Sequence, residues 1–332
     1  MKNVFALIFT CLLISSTQAK QPYSMKLKEK VYPFYQSGLS KFYAGVDKKS
    51  VHFRQFRRGS NQALIVLPGR TEPTKKYAEL IYDLSPMDLD FFLWDPRGQG
   101  YSDRLLTDPQ KGYVESYKDY ITDFDKFMKA NIIGKYDQVF ILAHSMGGAI
   151  SLRYAQLNPG IIDKMVLSAP MLELKTNGVP EGPTLALMRV LKTIGKKKDY
   201  VPGGGALSSP VPFSENRVTQ SKERYEMARS IDVLEPELLM GSSTNNWLLE
   251  AIKLTRKTFR QRKKSSHIPM LIFQAGKDEF SKDKRQNKLC SASRKCRLVR
   301  LEEAKHEMFQ EVDSVRDEVI RLTEEFLRAR QN

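Results

Sequence analysis

The stretch Ile141-Leu142-Ala143-His144-Ser145-Met146-Gly147-Gly148 reads as a buried strand, a tight turn and the start of a helix. It is close to the G-x-S-x-G turn, in which a serine stands exposed between strand and helix, with alanine at the first glycine position. The positions two before and two after such a serine approach each other, so small residues are required. Ala143 adds one methyl there and Gly147 keeps the other side open. Taken alone, the stretch is either a nucleophile turn or a structural turn in a core.

Outward from this turn the chain alternates short apolar runs with longer amphipathic ones, the signature of an α/β fold. Strands are expected at 41–44, 51–56, 63–67, 90–94, 138–143, 164–168, 270–274 and 297–301, enough for one large, mostly parallel eight-stranded sheet. Helices are expected at 76–84, 113–132, 146–156 and 314–328. In the second of these, Tyr117, Tyr120, Ile121, Phe124, Phe127 and Met128 trace one apolar face. The alternation breaks after Met171. Residues 172–266 hold Gly203-Gly204-Gly205, several prolines, two basic runs and helix-like stretches at 221–230 and 246–258, which reads as an insertion before the sheet order resumes.

The 332 residues are 41% hydrophobic and 28% charged, an ordinary globular composition from which disorder is not expected. Residues 1–19 differ. A charged Met1-Lys2-Asn3, an apolar run at 4–14 and a small-residue segment ending at Ala19 read as a signal peptide for export, an uncleaved N-terminal anchor being the alternative. The apolar run falls short of the roughly 20 residues that a spanning helix needs. Removal of Cys11 with this segment leaves Cys290 and Cys296, either a disulfide in an oxidising compartment or two free thiols.

The formal charge of +16 stays strongly basic after loss of Lys2. The runs Lys196-Lys197-Lys198 and Arg260-Gln261-Arg262-Lys263-Lys264 lack interleaved aromatic residues, and no nucleic-acid-binding motif is present. No nucleic acid is therefore expected as a partner. An anionic membrane surface is the partner that the charge suggests, against a merely solvated face. No metal-ligand spacing and no cofactor motif is found, so no cofactor is expected.

A nucleophilic serine needs a base, and the chain holds four histidines: His52, His144, His267 and His306. His52 and His267 lie in or beside strands, and His144 is the serine's neighbour on a sharp turn, where adjacent side chains point apart. His306 follows the last strand, at the carboxyl edge where open α/β sheets carry their sites. Asp278, at the end of the preceding strand, is the carboxylate to orient it, with the adjacent Glu279 as the competitor. The order Ser145, Asp278, His306 is that of hydrolases built on this turn. An oxyanion site needs two backbone N–H donors, for which Arg70, after Pro68-Gly69, and Met146 are the candidates; a plain turn at Pro68-Gly69 is the alternative.

The segments LPGRTEPTKKYAEL (67–80), DPRGQGYSDR (95–104), ILAHSMGGAI (141–150) and SAPML (168–172) together resemble the lysophospholipase L2 group, within the wider set that includes monoacylglycerol lipases. The likeness covers most of 40–172 and returns at 268–310, and A-H-S-M-G-G looks like that group's own form of the turn. It implies an α/β-hydrolase fold with a core at 20–171 and 267–332 and a helical cap at 172–266. It implies a serine hydrolase for one-chain lipids, with Ser145, Asp278 and His306 as triad and Arg70 and Met146 as oxyanion donors. Leu185, Leu187, Met188, Val190 and Leu191 of the cap are candidates for the acyl pocket, or ordinary core. The sequence departs from the group at Pro96, where relatives often carry histidine, and in having a signal peptide, which leaves periplasmic, outer-envelope and secreted locations open. Monoacylglycerols or short esters, a peptidase, and a non-catalytic lipid-binding module remain the alternative readings.

Overall fold

The computed structural model describes residues 23–176 and 178–329; the expected signal peptide at 1–19 lies outside the described residues. Eight strands form one sheet: β1 (Leu39–Ala44), β2 (Ser50–Phe56), β3 (Gln62–Leu67), β4 (Asp90–Trp94), β5 (Gln138–His144), β6 (Lys164–Ser168), β7 (Met270–Ala275) and β8 (Cys296–Leu301). Their order is β1-β2-β4-β3-β5-β6-β7-β8. β2 pairs antiparallel with β1 and β4, and the other pairings are parallel.

A parallel sheet is covered on both faces, so its strands read as continuous apolar runs. Along β3, Ala63, Ile65 and Leu67 enter one core while Leu64 and Val66 enter the other. β5 divides in the same way, with Val139, Ile141 and Ala143 on one side and Phe140 and Leu142 on the other.

The helices are α1 (Tyr23–Lys26), α2 (Tyr32–Ser37), α3 (Ala78–Asp83), α4 (Tyr117–Asn131), α5 (Met146–Leu157), α6 (Glu181–Thr193), α7 (Lys222–Leu234), α8 (Asn245–Arg260), α9 (Asp283–Cys290) and α10 (Asp313–Arg328). Helices α4, α5 and α8 fill the first core; α2, α3 and α10 fill the second. The second expected helix starts at Tyr117 rather than at 113, because Ser116 and Asp119 form a reciprocal capping box there. The expected helix at 76–84 begins instead as a 3-10 turn, Thr74–Tyr77, before α3. Cys290, ending α9, and Cys296, opening β8, are joined by a disulfide.

Residues 172–266 form the excursion between β6 and β7 and carry α6, α7 and α8. The inner face of α8 belongs to the sheet's own core, through Trp247, Ala251 and Leu254. Its other apolar residues, Leu249 and Ile252, meet Leu185 and Met188 of α6 in a small separate cluster. α7 is anchored by charge. Arg224 Nε lies 2.9 Å from Glu79 Oε2, and its Nη2 lies 2.8 Å from Asp313 Oδ1. Lys26 and Arg316 also reach Glu79, so one buried carboxylate ties the N-terminal helix, α3, α7 and α10 together.

Candidate active site

The turn after β5 places Ser145 at φ 47° and ψ −111°, a conformation that side-chain-bearing residues rarely adopt. It is held from both sides. The Ser145 N–H donates to the Ser168 carbonyl at 3.0 Å, and the Met171 N–H donates to the Ser145 carbonyl at 2.9 Å. The demand for glycine falls after the serine. A Cβ on Gly147 would lie 2.3 Å from the Leu67 carbonyl oxygen, whereas Ala143 is accommodated fully buried, in register with Leu67 and Leu167.

His306 is brought to this serine by the close approach of the ends of β7 and β8. The Gly276 N–H donates to the Leu301 carbonyl at 2.8 Å, and a Cβ there would sit 2.2 Å from the Glu302 carbonyl oxygen, so only glycine fits. The Lys277 N–H donates to the Ala304 carbonyl at 2.9 Å and carries Asp278 to the loop of His306. His306 Nε2 lies 2.9 Å from Ser145 Oγ, and Nδ1 lies 2.8 Å from Asp278 Oδ2. An ionised carboxylate only accepts, so Nδ1 carries the proton and Nε2 accepts from the serine hydroxyl.

Of the two neighbouring carboxylates, Asp278 faces the histidine, and Glu279 turns outward to pair with Arg217 at 2.6 Å. Burial pushes the Asp278 carboxyl up, but its bond to His306 and the N–H groups of Ser281 and Phe280 hold it below its usual value. None of the other histidines hydrogen-bonds to the serine among the described residues. His52 is buried between Asp95 and Ser40, each 2.7 Å away, and His267 is exposed. His144 donates from Nδ1 to the Ser168 carbonyl at 3.1 Å and is kept neutral, its pKa pushed down to about 4 mainly by burial.

The loop after β3 is held by a buried carboxylate that the sequence reading missed. Glu72 Oε2 accepts from the Gly69 N–H and from the Tyr77 hydroxyl, both at 2.6 Å, and its Oε1 accepts from Lys76 Nζ at 2.7 Å. Lys76 also pairs with Glu307, next to His306, at 2.6 Å. Burial opposes ionisation of Glu72, but Lys76 and its hydrogen bonds hold its pKa far down. Gln99 accepts from the Thr71 N–H at 3.3 Å and donates to the Gly69 carbonyl at 2.7 Å. With Gly69 and Thr71 engaged, the Arg70 N–H between them has no acceptor among the described residues. Met146, first in α5, has none within its helix, as first-turn amides do not.

A cavity of about 480 Å³ opens over Ser145 and His306, within the range of sites for small ligands. Arg70 and Glu72 line one side; Met171, Leu174, Leu248 and Phe280 contribute apolar walls. Of the cap residues expected to receive an acyl chain, Leu187 and Met188 line it. Leu185 and Leu191 pack in the cluster between α6 and α8, and Val190 is exposed; they lie on the faces of Leu187 and Met188 but about a turn away along the helix, outside the cavity.

Residues 59–313 match the model of the family described as "Serine aminopeptidase, S33". Lysophospholipase L2 of Escherichia coli K12 is 32% identical over 250 residues, covering 75% of this chain and 73% of that protein. The probable lysophospholipase L2 of Haemophilus influenzae is 31% identical over 305 residues, covering 89% and 94%. Among solved structures, a soluble variant of the monoglyceride lipase of Saccharomyces cerevisiae in complex with a substrate analog superposes with a TM-score of 0.68 at 19% identity, covering 87% of this chain and 95% of that one. The strand order, the turn at Ser145 and these likenesses agree: the chain belongs to the serine aminopeptidase S33 family of α/β-hydrolases and, within it, to the lysophospholipase L2 group.

Proposed function

We propose that the protein is a serine hydrolase that cleaves the acyl ester of lysophospholipids through an acyl-enzyme. The observation that carries this reading is the unbroken chain Ser145 Oγ–His306 Nε2, His306 Nδ1–Asp278 Oδ2 at 2.9 and 2.8 Å, opening into a partly apolar cavity. His306 takes the serine proton as Oγ attacks the ester carbonyl, and Asp278 stabilises the imidazolium that forms. The Arg70 and Met146 amides receive the tetrahedral oxyanion. His306 then protonates the leaving glycerophospho-alcohol, and a water activated by the same histidine releases the fatty acid. The names of the two bacterial relatives support the lysophospholipid over other esters.

A second reading keeps this machinery and changes the substrate to a monoacylglycerol, which the resemblance to the yeast monoglyceride lipase favours. We further propose that the protein works on an anionic lipid surface outside the cytoplasm. Leu187, Val190 and Ile194 are exposed on one side of α6 and its end, beside Lys192 and the exposed Lys196 and Lys198. An apolar stripe flanked by lysines suits a headgroup interface, and the Cys290–Cys296 disulfide suits an oxidising compartment.

Labelling of the purified protein and its Ser145→Ala variant with a fluorophosphonate probe, beside turnover of lysophosphatidylethanolamine, lysophosphatidylcholine, monoacylglycerol and p-nitrophenyl esters, tests the reading. Labelling of wild type alone, with lysophospholipids turned over fastest, is expected. An unlabelled wild type, or equal labelling of the variant, overturns the nucleophile.

A further inference from the structure

The Arg70 side chain is not needed for the oxyanion, which uses only its amide. Arg70 is nevertheless among the residues that line the same cavity as Ser145 and His306. Its guanidinium is laid over the Trp247 ring, Cζ 5.3 Å from the centroid, and Nη1 donates to the Gly241 carbonyl at 3.3 Å. Gly112 leaves the space for it, since a Cβ there would lie 2.9 Å from Nη1. The guanidinium is thus held by residues of the excursion between β6 and β7 on one side and by the loop before α4 on the other.

What it lacks is an anion. Among the described residues Arg70 forms no ion pair with a carboxylate, although the cavity wall contains Glu72 and Glu307, because Lys76 takes both. Lys175, the other cation on the wall, donates to the Asp278 carbonyl. A charge drawn away from water without a counter-charge is costly, and burial lowers the Arg70 pKa to about 10, which leaves it a cation at neutral pH. Guanidinium is the side chain best suited to a partly buried phosphate, which it can grip with two parallel N–H donors.

We infer that the Arg70 side chain is the headgroup-phosphate subsite and sets the preference for lysophospholipids over monoacylglycerols. This rests on the ester-hydrolase reading above. The chemistry of the two molecules matches in length. From the ester carbonyl carbon of a 1-acyl lysophospholipid to its phosphorus there are as many covalent bonds as from the Arg70 amide nitrogen to its Cζ. One residue therefore addresses both ends of the polar part of the substrate, the amide at the developing oxyanion and the guanidinium at the phosphate.

The test compares kcat/KM for 1-acyl lysophosphatidylethanolamine and for a monoacylglycerol of the same acyl chain in wild type, Arg70→Met, Arg70→Lys and Lys175→Met. Arg70→Met retains the amide and an apolar contact for Trp247. The expected result is a fall of at least tenfold in the lysophospholipid-to-monoacylglycerol ratio for Arg70→Met, carried by KM, with partial recovery in Arg70→Lys. A ratio unchanged in Arg70→Met, or lost instead in Lys175→Met, overturns the inference. A second arm needs no lipid turnover: sn-glycerol 3-phosphate should slow fluorophosphonate labelling of wild type and require at least tenfold higher concentration in Arg70→Met, while glycerol should not protect. Equal protection by inorganic phosphate, with the lipid ratio unmoved, would assign the site to free phosphate and overturn the headgroup assignment. Absence of all labelling would instead reject the nucleophile itself. Thermal melting of each variant identifies one that has merely unfolded, in which case Arg70→Lys decides.

Discussion

His144 and His306 lie edge to face, ring centroids 4.7 Å apart, although one ends β5 and the other lies beyond β8. Two imidazoles in such contact cannot both be cations cheaply, and the fold resolves this by burying His144.

Because burial depresses the His144 pKa from 6.5 to about 4, the folded protein resists a proton that the unfolded chain accepts. Stability is therefore full above about pH 6.5 and declines as the pH falls toward 4, by about 3 kcal/mol across that window. Denaturant melts between pH 7.5 and 4.5 check this. His144→Gln should flatten that limb of the profile; an unchanged slope would refute the assignment.

Gly147→Ala should cost about 1–3 kcal/mol in stability, because the added methyl meets the Leu67 and Pro68 carbonyls, which are backbone and yield poorly. The displaced loop carries the Arg70 amide, so kcat should fall more than KM rises. Ala143→Gly should do neither, losing about 0.5–1 kcal/mol as any glycine within a strand does. Melting curves and steady-state rates on a p-nitrophenyl ester separate the two variants.

Glu79 is buried against Arg316, Arg224 and Lys26. Burial opposes its charge, but these cations lower its pKa from 4.5 to about 2. Its contribution is present above about pH 4.5 and is lost as the pH falls through about 2, some 3 kcal/mol in all. Glu79→Gln removes the buried carboxylate that these cations share, leaving Arg224 only Asp313 and Arg316 only Asp83, and should cost about 3 kcal/mol at pH 7. Limited proteolysis should then cut first in α7, which Arg224 anchors. Cleavage spread evenly over the chain would show that α7 has other restraints.

The exposed face of α6 predicts a phenotype that leaves soluble esters untouched. Val190→Glu with Ile194→Glu should weaken co-sedimentation with anionic vesicles at least tenfold and slow turnover of lipid in those vesicles. Hydrolysis of a soluble p-nitrophenyl ester should continue at the wild-type rate. Equal vesicle binding by wild type and the double variant would remove α6 from the lipid contact.

Each of the eight strands is legible to within a residue or two: β3 to β7 because strands buried on both faces are continuous apolar runs, and the exposed β1 and β8 from short apolar segments between polar turns. The pairing of Asp278 with His306 was legible for a related reason: both follow strands directly, and strand ends fix loop positions. Position alone separates Asp278 from Glu279 in the sequence; in the structure Asp278 contacts His306 and Glu279 pairs with Arg217. Helices α1, α2, α6 and α9 were not read, since they are short, polar or, in α6, interrupted near the start by Gly182 and Pro183. The Glu72–Lys76–Glu307 cluster was invisible for another reason. Lys76 and Glu307 are far apart in sequence, and a charge destined for burial beside a distant partner carries no local mark. The contact of Arg70 with Trp247 was hidden in the same way.

The excursion between β6 and β7 is stitched at its root to the loop that bears Asp278. The Lys175 N–H donates to the Phe280 carbonyl at 2.8 Å, the Lys282 N–H to the Glu173 carbonyl at 2.9 Å, and Leu174 bridges Ser281. For protein engineering this dictates where the chain can be spliced. A chimera that grafts a relative's 172–266 wholesale would exchange one edge of a small ribbon whose other edge follows Asp278. Grafts that retain residues 172–176 and replace only positions beyond them would keep that ribbon intact, and with it the alignment of the histidine. The segment that can be exchanged without disturbing this ribbon is therefore shorter than the inserted one.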